Sequence, residues 1–354
     1  MKRFLAAARA LLAATALSLA AAPAVRAADD PARKPEKLTL AISSSSMVYG
    51  PIWLAMAENL FENNGVDLKV VSTNALTTGP SMLVSGHADL LATTTFMGLR
   101  IAMEGKPLSI VMNLSNMGGR INAFVSRPAI KSMADLAAMG SNCKVIVLPA
   151  GTAGWAAYQG IAAKYNLKCS VGTAGTVPLV LAGVLSGQFD AATLNPQDAY
   201  AARDSGKGTL LIDPLNTPDA LAQEIYSRQH SLTTVFGMKS TVQAKKEAVS
   251  RFVRALQQAN QRIATMPSAE LGEVTRRLPE VFGPTPATAL ALQWELQKSL
   301  FPKGPDAGFI SEPEWNAVLV AAPLSWGLAN VNVQDPTLAY RSIVDMSYFR
   351  AAQR

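Results

Sequence analysis

SSSSMVYGPIW, residues 43–53, is a run of hydroxyls that turns abruptly apolar, and it decides how the rest of the chain is read. Before it stands LTLAI, residues 38–42, apolar enough for a buried strand. After it, Pro51 opens a segment with apolar residues at 52, 53, 56 and 60 and a stop at Asn64-Gly65, which is a helix signature. The run is therefore expected to be the polar turn of a strand–turn–helix unit. Free N–H groups and partial positive charge collect at such a helix start, where small polar or anionic ligands are readily held. A second turn of this kind, LPAGTAGW, occupies residues 148–155. Two such turns facing one another would make a ligand site.

Outward from these turns the pattern alternates. Strands are expected at 38–42, 66–72, 88–92, 108–114, 123–126, 144–148, 170–173, 209–212 and 233–238, with helices at 51–63, 77–85, 96–103 and 197–205. The second half echoes the first: SGHADLL at 85–91 and SGQFDAA at 186–192 are offset by 101, and Trp53 and Trp155 by 102. Two alternating β/α units imply an α/β protein of two doubly wound lobes with parallel central strands. Ligands of such sheets bind beyond the C-terminal strand ends. That rule selects the loops 43–49, 93–96, 150–154 and 194–197, with Ser44, Ser45, Tyr49, Thr94, Thr95, Thr152, Ala153, Gly154 and Asn195 as candidate ligand-binding residues. The same residue types also serve as ordinary turn and cap residues. Arg120, in MGGRIN at 117–122, precedes the strand that would enter the second lobe. It would either clamp a carboxylate or sulfonate or stand solvated beside the crossing.

From residue 240 no strand is evident. Ser240 with Gln243 resembles a capping box, Val249, Phe252, Val253, Leu256 and Ile263 share one helical face, and prolines punctuate the remainder at 267, 279, 284–286, 302–305 and 323. This helical tail is expected to pack on an existing lobe.

Residues 1–27 read as a secretory signal peptide: Lys2 and Arg3, an Ala/Leu-rich stretch, then Val25-Arg-Ala27. The formal charge of +7 includes Lys2, Arg3, Arg9 and Arg26, so an exported chain from residue 28 carries about +3. That small, dispersed excess gives no basic stripe and no case for nucleic acid. With 49% apolar residues, residues 28–354 are enough for two cores. Cys143 and Cys169 are the only cysteines, each beside an expected strand start. In an oxidising compartment such an isolated pair is expected as a disulfide, closing a loop of about 27 residues worth roughly 3–4 kcal/mol. His87 and His230 are the only histidines, no Cys/His/Asp spacing fits a metal cage, and neither a phosphate-loop ending nor Gly-x-Ser-x-Gly appears. No catalytic residue, metal or cofactor is called for, and the chain is not expected to be an enzyme.

In the order of YGPIW (49–53), SGHAD (85–89), PAGTAG (149–154) and SGQFDA (186–191), the chain resembles the periplasmic solute-binding proteins of ABC transporters of the nitrate, sulfonate and taurine type, related to binders of thiamine-pyrimidine precursors. The resemblance covers most of residues 38–262. It implies a type II periplasmic-binding-protein fold, two lobes joined by two hinge strands at 122–126 and 233–237. Lobe one would be residues 38–121 and 236–354, with the tail packed on it, and lobe two 122–235. It implies a monomeric periplasmic receptor that closes on a small polar or anionic solute, of the sulfonate, nitrate or aromatic carboxylate class, and delivers it to a membrane permease with its ATPase. An exported enzyme of the same fold and a solute-sensing subunit of a membrane signalling system stay open as alternatives.

Overall fold

The computed structural model describes residues 34–73, 78–117, 122–213, 216–218, 220–221, 225, 230–325, 327–328 and 330–353. The leader expected over 1–27 and the candidate Arg120 lie outside them. Among the described residues the strands are β1 Glu36–Ile42, β2 Val66–Ser72, β3 Leu90–Thr94, β4 Leu108–Met117, β5 Ala123–Ser126, β6 Lys144–Val147, β7 Ser170–Thr173, β8 Ala191–Leu194, β9 Thr209–Ile212 and β10 His230–Met238. The helices of this region are α1 Gly50–Ala57, α2 Leu60–Asn63, α3 Thr78–Val84, α4 Thr95–Met103, α5 Met133–Ala138, α6 Ala153–Tyr165, α7 Val177–Leu185 and α8 Pro196–Asp204.

The strands form two sheets, ordered β2-β1-β3-β10-β4 and β7-β6-β8-β5-β9. In each, four of the five strands point the same way and one runs against both its neighbours: β10 between β3 and β4, β5 between β8 and β9. The sheets are therefore mixed, and in each the antiparallel strand is the one that the chain supplies on arriving from the other sheet. Both faces of the inner strands are covered, which is why β5 and β8 are buried at every residue and read as unbroken runs of small and apolar side chains.

The echo in sequence has a structural cause. Asp89 Oδ2 accepts from the Thr39 amide and from Lys245 Nζ, each at 2.8 Å. Asp190 Oδ2 accepts from the Lys144 amide and its Oδ1 from Arg127 Nε, again at 2.8 Å. Each carboxylate thus pins an inner strand, β1 at its middle and β6 at its first residue. The glycines before them, Gly86 and Gly187, turn the chain at φ of 78° and 77°, a conformation open to glycine at little cost.

Cys143 and Cys169 form a disulfide, 1.98 Å between sulfurs. They immediately precede β6 and β7, whose first residues pair as Lys144 with Ser170.

Helices make up the tail: α9 Lys239–Ala244, α10 Lys246–Thr265, α11 Ser268–Thr275, α12 Pro279–Phe282, α13 Ala287–Gln297, α14 Glu312–Ser325, α15 Tyr340–Ile343 and α16 Ser347–Ala352. The capping box expected at Ser240 does not form. The helix already begins at Lys239 after Met238, no side chain caps it, and the chain breaks at Lys245 before α10 starts. The apolar face expected on α10 is buried at all five positions. Pro267, Pro279 and Pro286 stand at helix starts, where no N–H bond is lost, but Pro323 lies inside α14 rather than ending it. The tail packs on the first sheet's layer, and α14 and α13 reach further, to α6 and α8 of the second. No helix among the described residues is long and apolar enough to cross a membrane.

Candidate functional site

The serine run is a turn that has already spent part of its hydrogen bonding on itself. Ser46 caps a 3-10 turn, Met47–Tyr49, by accepting from the Val48 amide, and its carbonyl accepts from Trp53 Nε1 at 3.0 Å. Trp53 is fully buried in α1, a helix apolar on nearly every side, so the turn is nailed to the core. The Ser43 hydroxyl is paired with the Tyr49 hydroxyl. Ser44 and Ser45 are exposed; Ser44 Oγ accepts from the Ser46 amide at 3.3 Å. Burial pushes the Tyr49 phenol above its usual pKa, and the neighbouring Ser43 and Thr93 hydroxyls offset part of that. Tyr49 is therefore a neutral hydroxyl at ordinary pH, able to donate or accept.

At the end of β3, Thr93 and Thr94 belong to the strand rather than to a loop, and Thr95 opens α4. The Thr95 hydroxyl and that of Thr234, which lies on β10, are fully buried with no hydrogen-bond partner among the described residues. Thr234 sits opposite Thr93 in the ladder, and Thr233 opposite Thr94. Beside them Ser115 and Thr233 share a hydrogen bond of 2.6 Å across β4 and β10. Buried hydroxyls without partners are uncommon because each forgoes its hydration. They mark the end of β3 as a place with unused hydrogen-bonding capacity.

The second turn is built the same way as the first. Thr152 caps α6, accepting from the Trp155 amide at 3.3 Å and donating to the Pro149 carbonyl at 2.8 Å. Ala153 and Gly154 follow as the first residues of α6, where helix N–H groups lack partners of their own. Gly154 is buried: its carbonyl accepts from Thr193 Oγ1 at 3.0 Å, and a Cβ there would lie 3.1 Å from that oxygen. Asn195 caps α8 by accepting from the Asp198 amide at 2.9 Å, and its Nδ2 donates to Asp198 Oδ2 at 2.7 Å. Burial raises the pKa of the Asp198 carboxyl, with the bond from Asn195 opposing.

The two turns meet. Thr94 Oγ1 at the end of β3 donates to the Gly151 carbonyl after β6, at 3.3 Å, so a strand end of the first sheet touches a strand-end turn of the second. The tail adds a third side, since a Cβ on Gly327 would lie 3.0 Å from the Ala150 Cβ and 3.6 Å from Trp155 Nε1. The structure thus brings Thr94 against the turn that carries Thr152, Ala153 and Gly154. Tyr49 enters through Ser43 and Thr93, at the ends of β1 and β3. For Asn195 the structure gives a capping role, and its side-chain hydrogen bonds among the described residues are to Asp198. Sequence reasoning included Ser43 and Thr93 in the selected loops without naming them as candidates, and passed over Thr193 and Thr234. All four sit at strand ends or on the crossing strand β10, and register would have been the signal for them.

Several solved structures share this architecture. The periplasmic nitrate-binding protein NrtA from Synechocystis PCC 6803 superposes with a TM-score of 0.68 at 14% identity, covering 90% of this chain and 89% of that one. The ligand-binding component of an ABC-type import system from Staphylococcus aureus, solved with zinc, has a TM-score of 0.68 at 12% identity and covers 90% and 99%. The aliphatic sulphonate-binding protein SsuA from Escherichia coli has a TM-score of 0.61 at 15% identity and covers 89% and 92%. No curated protein matches the chain in sequence. Among its described residues no group of His, Cys, Asp and Glu could hold a metal ion. The chain has the two-lobed α/β fold of periplasmic binding proteins. A family match places it more narrowly: the NMT1/THI5-like family spans residues 46–270, more than half of the chain, and the chain belongs to it.

Proposed function

We propose that the chain is the substrate-binding component of an ABC importer, which captures a small polar or anionic solute between its lobes and presents it to a permease with its ATPase. The observation that carries this reading is the meeting of the β3 end with the turn after β6, through Thr94 and Gly151, in a member of a family whose fold is shared by nitrate- and sulfonate-binding proteins. On this reading lobe one is residues 38–121 with 236–354, and lobe two is 122–235. The protein acts as a monomer in the periplasm after losing residues 1–27. Ser44, Ser45, Tyr49, Thr94 and Thr95 offer hydroxyls from lobe one. From lobe two, Thr152 and the amides of Ala153 and Gly154 stand at the start of α6, with Asn195 at the start of α8. Arg120 supplies the charge that these neutral groups lack.

Closure follows if the solute touches both walls, since a ligand shifts a conformational equilibrium only by its differential affinity for the two states. A thermal-shift screen of nitrate, sulfonates and aromatic carboxylates tests it: a ligand at 100 times its Kd adds about 2.7 kcal/mol of stability. Failure of every class, or turnover of a hit in place of its reversible recovery, refutes the receptor reading. With a hit in hand, Arg120→Ala is expected to weaken binding by at least about tenfold in titration calorimetry, as the loss of a charge-assisted bidentate pair requires.

A further inference from the structure

A second concave site lies at the other end of the first sheet. The outer edge of β4 is partly covered by the chain near its C-terminus: Val344 bridges Ile110 in parallel, and the Asp345 amide donates to the Ile110 carbonyl at 2.9 Å. Between this segment, the start of β4 and the start of α9 is a groove of about 340 Å³, lined among others by Ser109, Lys239, Tyr340, Arg341, Asp345 and Arg350. Strand β10 runs from Thr233, opposite Thr94, to Met238, opposite Leu108. At about 3.4 Å per residue the groove therefore lies about 17 Å from the contact of Thr94 with Gly151.

Its charge is unbalanced. Lys239, Arg341 and Arg350 form no ion pair among the described residues; Arg350 stands over the Phe309 ring, 5.5 Å from its centroid. Asp345 is the one carboxylate among the lining residues, and its Oδ1 already accepts from the Ser347 amide at 3.0 Å and the Ser347 hydroxyl at 2.6 Å. Ser109 is 3% exposed and its side chain lines the groove. A serine hydroxyl in a groove shared by three cations and one carboxylate has the chemistry of an oxoanion site. Guanidinium forks and an ammonium supply charge and direction, and the hydroxyl takes one oxygen.

We propose that this groove binds a phosphate group, with Lys239, Arg341 and Arg350 around it and Ser109 at its floor. The group is either free inorganic phosphate or the headgroup of an anionic phospholipid, since both present the same oxygens.

Equilibrium dialysis of the full chain with labelled inorganic phosphate, and flotation with phosphatidylglycerol-containing vesicles against phosphatidylcholine alone, test both sources. Saturable binding is expected with at least one probe. Lys239→Gln and Arg341→Gln are each expected to weaken it by at least about tenfold, and Ser109→Ala by less, while Lys131→Gln, remote in sequence and exposed, leaves it unchanged. Binding of both probes assigns the bare phosphate; binding of the vesicles alone assigns the headgroup. Circular dichroism melts of the exposed-site variants should match the parent. Absence of saturable binding with either probe, equal loss in Lys131→Gln, or binding untouched by the groove variants overturns the proposal.

Discussion

Ser43 and Ser46 hold their own turn, while Ser44 and Ser45 face solvent, so four adjacent serines serve two different ends. Composition could not divide them, because a hydroxyl that caps a helix and one that meets a ligand are the same residue type at the same strand end. Thr152 and Asn195 show this most clearly: each was legible as a strand-end polar group, and each is a cap in the structure. Tyr49 is the most constrained of the candidates. Tyr49→Phe removes the Ser43 partner inside a buried site and is expected to lower unfolding free energy by about 1–3 kcal/mol in denaturant titrations. The pH dependence has a definite sign. Burial raises the phenols of Tyr49, Tyr158, Tyr340 and Tyr348 above the usual phenol pKa of about 10. Above that pH the unfolded chain loses phenolic protons that the folded chain keeps, so stability falls as pH rises, by up to about 1.4 kcal/mol per pH unit for the fully buried Tyr49 and by less for the three partly exposed phenols. Tyr49→Phe should flatten the alkaline limb of a stability–pH curve, and an unchanged slope would contradict the burial argument.

Most strands were legible to within about two residues because each is a short apolar run bounded by Gly, Pro or charge, but β3, expected at 88–92, lies at Leu90–Thr94, and β8 was given no range of its own. The polar ends were missed: β4, expected to stop at 114, runs to Met117, and β10, expected from 233, is found from His230, since polar Ser231 gives no strand signal yet is buried beside β4. What could not be read was adjacency: nothing local says that β10 inserts between β3 and β4. The tail's reach was equally hidden. Gly50 opens α1 and lets Trp294 and Phe301 rest on it, and a Cβ there would come within 2.6 Å of both rings. Gly50→Ala is expected to destabilise by about 1–3 kcal/mol, as overpacking does, measured by urea denaturation. Removal of the disulfide by the Cys143→Ser/Cys169→Ser pair should cost roughly 3–4 kcal/mol by loop closure over its separation of 26 residues. Oxidised and reduced samples compared in the same titration would check it.

Across the whole molecule, the Thr94 hydroxyl donating to the Gly151 carbonyl is a direct bond between the two sheets' strand ends. On the receptor reading Thr94→Val removes it at nearly constant volume and should shift the ligand-free protein toward open forms. Small-angle scattering would record a larger radius of gyration, and an unchanged value would show that the bond plays no part in closure. The order of the strands carries a further consequence, for the way the chain folds as it emerges. Residues 123–212 contain every strand of the second sheet, so that sheet can complete itself from contiguous chain. The first sheet cannot: β3 and β4 stay apart, each with a bare edge, until residues 230–238 arrive to sit between them. Pairings so distant in sequence form late, and exposed edges invite mispairing in the interval. Pulse-labelled hydrogen exchange should find β6 and β8 protected before β3 and β4. A nascent chain halted before residue 230 would have one lobe finished and the other still waiting for its fifth strand.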